Sequence, residues 1–261
     1  MNLRGRLVTS VTAFALACLV MITLHELAHA VAGALQGNSP VMFGFSVDQQ
    51  SQTNEQAIVT ALAGPVFSLV SGLLVLAVPI GRLVPIWRLV VLWFGLLSVQ
   101  EFSGYLITGP FANVGDIGSA LQRAGAPAVV AWLGFVVGWG LTYLLARHAV
   151  PRFAELTADG QPLAPQMRAL GLFAWLIGVG VVIVLSIGLL SAGGVSVAIV
   201  VFEALGLVAS GIFLVFVRLF WPLAERAPHR GGQFPTPVVA IVLVFVVALA
   251  RQLLLAGGLH F

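Results

Sequence analysis

Seven stretches of the chain are almost unbroken in apolar residues, and each is near the ~20 residues needed to cross a bilayer. They run over about 7–35, 57–80, 86–107, 127–149, 169–191, 195–217 and 237–257. The pattern predicts an all-α polytopic membrane protein. Two connections break it. After the first span, Val41, Phe43, Phe45 and Val47 alternate with Met42, Gly44, Ser46 and Asp48. A period of two predicts a short strand or β-hairpin. Such a strand either pairs with an extended peptide along its edge or serves as structure alone. The following stretch, Gln49 to Gln56, reads as polar loop. The second break, Gly109-Pro110-Phe111-Ala112-Asn113-Val114-Gly115-Asp116-Ile117-Gly118, is rich in residues that interrupt helices. Irregular backbone at membrane depth survives only against protein or a wet cavity.

Composition supports the membrane reading. The chain is 60% hydrophobic and only 8% charged, against about 25% charged in a soluble domain. All twelve basic residues are arginine, and they are dispersed, which excludes a nucleic-acid-binding footprint. With seven spans, Arg4, Arg6, Arg82, Arg88, Arg147, Arg152, Arg168, Arg218, Arg226 and Arg230 fall on one side, and Arg123 alone on the other. By the positive-inside rule the N-terminus is cytoplasmic and the C-terminus outside, in a plasma membrane of bacterial type. Arg4 and Arg6 ahead of an apolar stretch imitate a signal peptide, and Ala15-Leu16-Ala17-Cys18 imitates a lipoprotein box. The apolar run continues to Leu35, so it reads as a span. A single cysteine, Cys18, excludes an intramolecular disulfide.

The first span carries the chemistry. His25-Glu26-x-x-His29 puts two imidazoles at positions i and i+4, on one helix face, where both can bind one metal ion. A catalytic zinc site needs a third protein ligand and an open position for water. Glu26 lies close to that position, suited to accept a proton and pass one to a leaving amine. The bland alternative is a pair of buried histidines bonded to neighbouring helices. Ionisable groups at membrane depth are costly and default to a functional reading. Asp116 is the natural third ligand, or else caps the helix after it. Glu101, near the end of span three with Tyr105 on its face, is the rival ligand, a partner of a histidine, or a packing residue. Ala63-Gly64-Pro65, Ser68, Ser71 and Gly72 are small residues that allow close packing on the metal helix, with Pro65 near a helix start. Gly134 and Gly138 hint at packing in span four. Glu203 and Arg251 are isolated charges in apolar spans, placed to pair with each other.

These motifs resemble the site-2 protease family of intramembrane zinc metalloproteases. The resemblance rests on His25-Glu26-x-x-His29 late in an apolar helix, on Ala63-Gly64-Pro65-x-x-Ser68 after a β-like connection, and on a broken segment running from Asn113 to Asp116. It covers about residues 7–125. It implies a three-helix catalytic core over 1–125, with four additional helices over 126–261. It implies that His25, His29 and Asp116 bind Zn2+, that Glu26 is the catalytic base and that Asn113 holds the substrate strand. The substrates would be transmembrane segments of other proteins. Two other classes stay open. One is an inactive protease-like assembly or binding protein, with partners docked on spans four to seven. The other is a transporter using Glu101, Glu203 and Arg251, although no repeated halves support it.

Overall fold

Backbone surrounded by hydrocarbon must satisfy its own hydrogen bonds, so apolar runs of this length fold as helices. The computed structural model describes residues 3–49, 53–79, 81–112, 114–191, 204–231 and 234–261. In it, seven helices are long and apolar enough to cross a bilayer. The architecture is that of an integral, multi-pass, all-α membrane protein with a small sheet after its first helix.

In chain order the elements are α1 (Leu3–Leu35), β1 (Val41–Met42), β2 (Val47–Asp48), α2 (Asn54–Ala77), α3 (Pro85–Ala112) and α4 (Gly115–Arg123). Then follow α5 (Ala128–Ala154), α6 (Leu163–Leu170) and α7 (Leu172–Ser191), the last two forming one span bent at Gly171. The sixth span, Ala204–Arg226, contains a 3-10 helix over Ile212–Phe220 and ends in α8 (Trp221–Arg226). The chain closes with α9 (Val238–Leu255) and β3 (Leu259–His260).

The first helix is the axis of the bundle. It is about 50 Å long at 1.5 Å per residue, and α2, α3, α7 and α9 all pack on it. In its most apolar window 67% of residues are buried, against 17% in α5. One helix is therefore core and the other faces lipid. Toward the N-terminal end of α1 the core is aromatic. Trp93 of α3 is fully buried and meets Phe14, Phe153 and Phe213 at centroid distances of 5.1, 5.2 and 6.4 Å.

Close approach of the helices follows from their small residues. A Cβ on Gly72 would lie 2.9 Å from Ser98, and one on Gly138 would lie 2.8 Å from the Ser103 carbonyl oxygen. Thus α2 and α5 both lie flush on α3. Pro65 differs from expectation. The helix starts at Asn54, capped by Thr53 in a capping box with Gln56, so Pro65 lies well inside α2. The polar residues before the apolar run supplied the cap and the first turn, and this moved the start upstream.

The β-hairpin is present and is longer reaching than the sequence implied. The sheet has three strands in the order β2-β1-β3, all antiparallel. The chain's own C-terminal β3 therefore occupies one edge of β1, leaving β2 as the outer strand on the other side. The hairpin turn lies level with the middle of α1, where Arg251 of α9 donates to the Gly44 carbonyl at 2.7 Å, to the Leu19 carbonyl at 3.1 Å and to the Thr23 hydroxyl. Irregular backbone at that depth has no water to bond, and the buried guanidinium supplies the missing donors. It also lies over the Phe45 ring at 5.3 Å. The pairing of Arg251 with Glu203 involves a residue outside those described.

Candidate metal centre

Helical spacing puts His25 and His29 one turn apart on α1, with ring centroids 4.8 Å apart. Both rings are buried. What each ring does with its Nδ1 determines what its Nε2 can do. His29 Nδ1 donates to the Thr60 backbone carbonyl of α2 at 2.7 Å. A carbonyl only accepts, so the proton is on Nδ1 and the Nε2 of the neutral ring is bare. His25 Nδ1 contacts the Ser68 hydroxyl at 3.0 Å, and that hydroxyl donates to the Glu101 carboxylate at 3.1 Å. With its own proton given to Glu101, Ser68 accepts from His25 Nδ1–H, and the second Nε2 is bare as well. Glu101 also stands 3.4 Å from His25 Nδ1 directly. Tyr105, one turn on from Glu101, stacks on the His25 ring with centroids 5.9 Å apart.

The two bare nitrogens face each other at 3.1 Å. Asp116 completes the group, its Oδ2 lying 3.1 Å from His25 Nε2 and 3.2 Å from His29 Nε2. With both rings neutral, three acceptor atoms converge, an arrangement suited to a cation. The spacing also suits one. Ligands about 2.0–2.1 Å from a tetrahedral zinc ion lie about 3.3 Å from one another. Among the described residues, His25, His29 and Asp116 are the group able to hold a metal ion. Two imidazoles and a carboxylate fit zinc by donor type.

The third member arrives by way of glycines. Gly115 has φ +67°, which lets the chain turn straight from α3 into α4. A Cβ on Gly118 would lie 2.3 Å from the Gly109 carbonyl oxygen, so α4 lies against the end of α3 with no gap. Asn54 of α2 holds the far end of α4 through the Arg123 carbonyl at 3.1 Å. Asp116 is in the first turn of α4, but the residue in the N-cap position is Val114, which has no side-chain cap bond. The carboxylate faces the imidazoles instead.

Gly64 of α2 faces the Nε2 side of the centre. A Cβ there would lie 2.3 Å from His29 Nε2 and 2.6 Å from His25 Nε2. Small residues in Ala63-Gly64-Pro65 suggested close packing on the metal helix; the structure narrows this to one atom position beside the ligand nitrogens. Glu26 is buried between the histidines in sequence and within electrostatic range of His25, His29, Asp116 and Glu101. The hairpin is tied to the centre by Gln49, whose amide donates to the His29 carbonyl at 3.1 Å. Glu101 lies on the Nδ1 side of His25, away from the three convergent atoms. Asn113 lies outside the described residues. Ser68 and Gly64 are the contributors that sequence reading undervalued: it took them as small packing residues and as part of the Ala63-Gly64-Pro65-x-x-Ser68 motif, without a role at the histidines.

No protein-family model matches the chain, and searches of curated proteins and of solved structures likewise returned no match.

Proposed function

We propose that this protein is a zinc-dependent intramembrane endopeptidase, acting on a peptide bond within or near a transmembrane segment of another membrane protein. The reading rests above all on two imidazole nitrogens and a carboxylate oxygen that converge near the buried Glu26. His25, His29 and Asp116 would hold the metal. Bound there, zinc would supply Lewis acidity, acidifying a water and polarising the scissile carbonyl. Glu26 takes the proton as the water oxygen bonds to the carbonyl carbon, then delivers it to the amine nitrogen as the C–N bond breaks. Thr60 and the Ser68–Glu101 pair keep both imidazoles in the tautomer that presents Nε2. Gly64 keeps the space beside the two nitrogens clear. The resemblance to site-2 proteases supports the same assignment, and the arginine pattern supports a cytoplasmic N-terminus.

The test is zinc per molecule in detergent-purified wild type and Glu26→Gln, together with cleavage of membrane-anchored substrates by both in proteoliposomes. The expected outcome is a ratio near one in each protein and cleavage by wild type alone. Wild type that takes up no zinc, or cleavage retained in Glu26→Gln, would overturn the proposal.

A further inference from the structure

A cleft of about 430 Å³ opens at the C-terminal end of α5, where Leu223 of α8 lines it together with Arg147 and Arg152 of α5. That volume lies in the range of small-ligand sites. Among the described residues the wall holds one acid, Glu155, and Arg88 of α3 already pairs with it at 3.1 Å. His148 also lines the cleft, but its Nε2 is closed off within the protein. Arg147 is exposed and Arg152 half-buried, and neither guanidinium makes an ion pair or a hydrogen bond among the described residues. The wall therefore keeps two uncompensated positive charges. Each carries a fork of N–H donors, the chemistry that recognises a phosphate.

Depth and surroundings indicate the source of that phosphate. The stretch from Ala128 to Ala146 carries no charge and is about 28 Å long at 1.5 Å per residue. It fills the ~30 Å hydrocarbon layer, so Arg147 is the first residue of α5 at headgroup level. Seven spans put the cleft on the membrane face that carries most of the arginines. Below the cleft, Leu144, Val137 and Leu133 recur at helical spacing on one face of α5, and all three are exposed. Gly140 lies among them, and a Cβ there meets nothing within 4 Å. A soluble phosphate ester leaves this apolar track bare. A phospholipid covers it with an acyl chain while its phosphate reaches the arginines. A zwitterionic headgroup would also bring an ammonium toward two like charges, which favours an anionic lipid. Basic pockets at the ends of membrane helices are suited to such headgroups.

We propose that this cleft binds an anionic phospholipid: Arg147 and Arg152 hold its phosphate, and an acyl chain lies along Leu144, Gly140 and Val137. The bound lipid bridges α5 and α8. The site is separate from the metal centre and does not depend on the peptidase reading.

The probe is phosphatidylglycerol, titrated into delipidated full-length protein in a neutral detergent and counted by native mass spectrometry. Phosphatidylcholine and glycerol 3-phosphate serve as comparisons. The expected result is tight binding of one phosphatidylglycerol, with phosphatidylcholine at least about tenfold weaker. A basic residue close to an anionic headgroup is worth about fivefold. Arg147→Gln and Arg152→Gln should therefore each weaken that binding about fivefold, and together about 30-fold. The single variants carry the test if the double variant does not stay folded. Lysine at both positions should restore affinity to within about threefold, since the charge is kept. The control is Arg82→Gln with Arg168→Gln, two exposed arginines on the same membrane face and outside the cleft. It removes as much charge and should change affinity less than about twofold. An equal loss in that control would overturn the site and leave a general attraction to a basic face. Phosphatidylcholine bound as tightly as phosphatidylglycerol would overturn the role of the two arginines. Displacement of the lipid by an equal concentration of glycerol 3-phosphate would overturn the lipid in favour of a soluble phosphate ester. None of these readouts involves the metal, so the outcome leaves the peptidase reading untouched.

Discussion

Two polar clusters along α1 lie in the same apolar bundle and are treated in opposite ways. Toward the N-terminus, Trp93 Nε1–H donates to the Ser10 hydroxyl at 3.0 Å, and Ser10 donates on to the Leu170 carbonyl at 2.6 Å. Every donor in that chain ends on an acceptor, and aromatic rings fill the space around it. Toward the C-terminus, the hydrogen bonds of His25 and His29 run outward to Ser68 and Thr60 and leave three acceptors facing one another. A closed polar chain is structural, because it asks for nothing more. An open one keeps its acceptors only if something else satisfies them, and at this depth water is scarce. The contrast separates a polar cluster that holds helices together from one that could hold an ion.

Substitutions can break that contrast from either side. The largest effect is expected from Gly64→Ala, whose new methyl group would overlap both ligand nitrogens. Zinc affinity should fall more than 100-fold while thermal unfolding in detergent shifts little, because the neighbouring ring nitrogens and not the helix backbone take the clash. Retention of zinc at wild-type affinity would show that the imidazoles face elsewhere. Next come Ser68→Ala and Glu101→Gln, which disturb the partner of His25 and not the convergent atoms. Loss of an orienting partner typically costs about 10–100-fold in metal affinity, and a competition titration with a zinc chelator measures it. Were Glu101 a direct ligand, Glu101→Gln would match the ligand substitutions in severity instead. The smallest effect on the metal is expected at the closed Trp93–Ser10 chain. Trp93→Phe leaves the ring stack largely in place and removes the donor to Ser10. Stability should drop by about 1–2 kcal/mol, read by chemical denaturation in detergent, with zinc content unchanged. A change in zinc there would show that the two clusters are coupled.

Much of this was legible in the chain. Seven apolar runs of bilayer length left helices as the only economical fold, and the alternation from Val41 to Val47 announced the hairpin. The spacing of His25 and His29 required only helical periodicity to be read as one face. Asp116 was readable as a candidate because an aspartate stood in a glycine-rich break. Other features were silent. Nothing in the residues Leu259 and His260 announces a strand, which exists because α9 delivers them beside β1. Arg251 read as a partner for Glu203, whereas its described bonds go to backbone carbonyls and a hydroxyl of α1 and the hairpin turn.

The sequence by itself determined the surrounding medium, the spanning helices and the donor types of the candidate centre, because these depend on composition and on periodicities within a single helix. The tertiary structure alone decided which carboxylate meets the imidazoles. Glu101 and Asp116 are each far from His25 in sequence, and both reach its ring. They arrive at opposite nitrogens, since α3 packs on the Nδ1 side while the glycine-lined turn into α4 swings Asp116 to the Nε2 side. That outcome depends on how closely three helices approach, a quantity set by packing across the bundle and written in no local stretch of the chain.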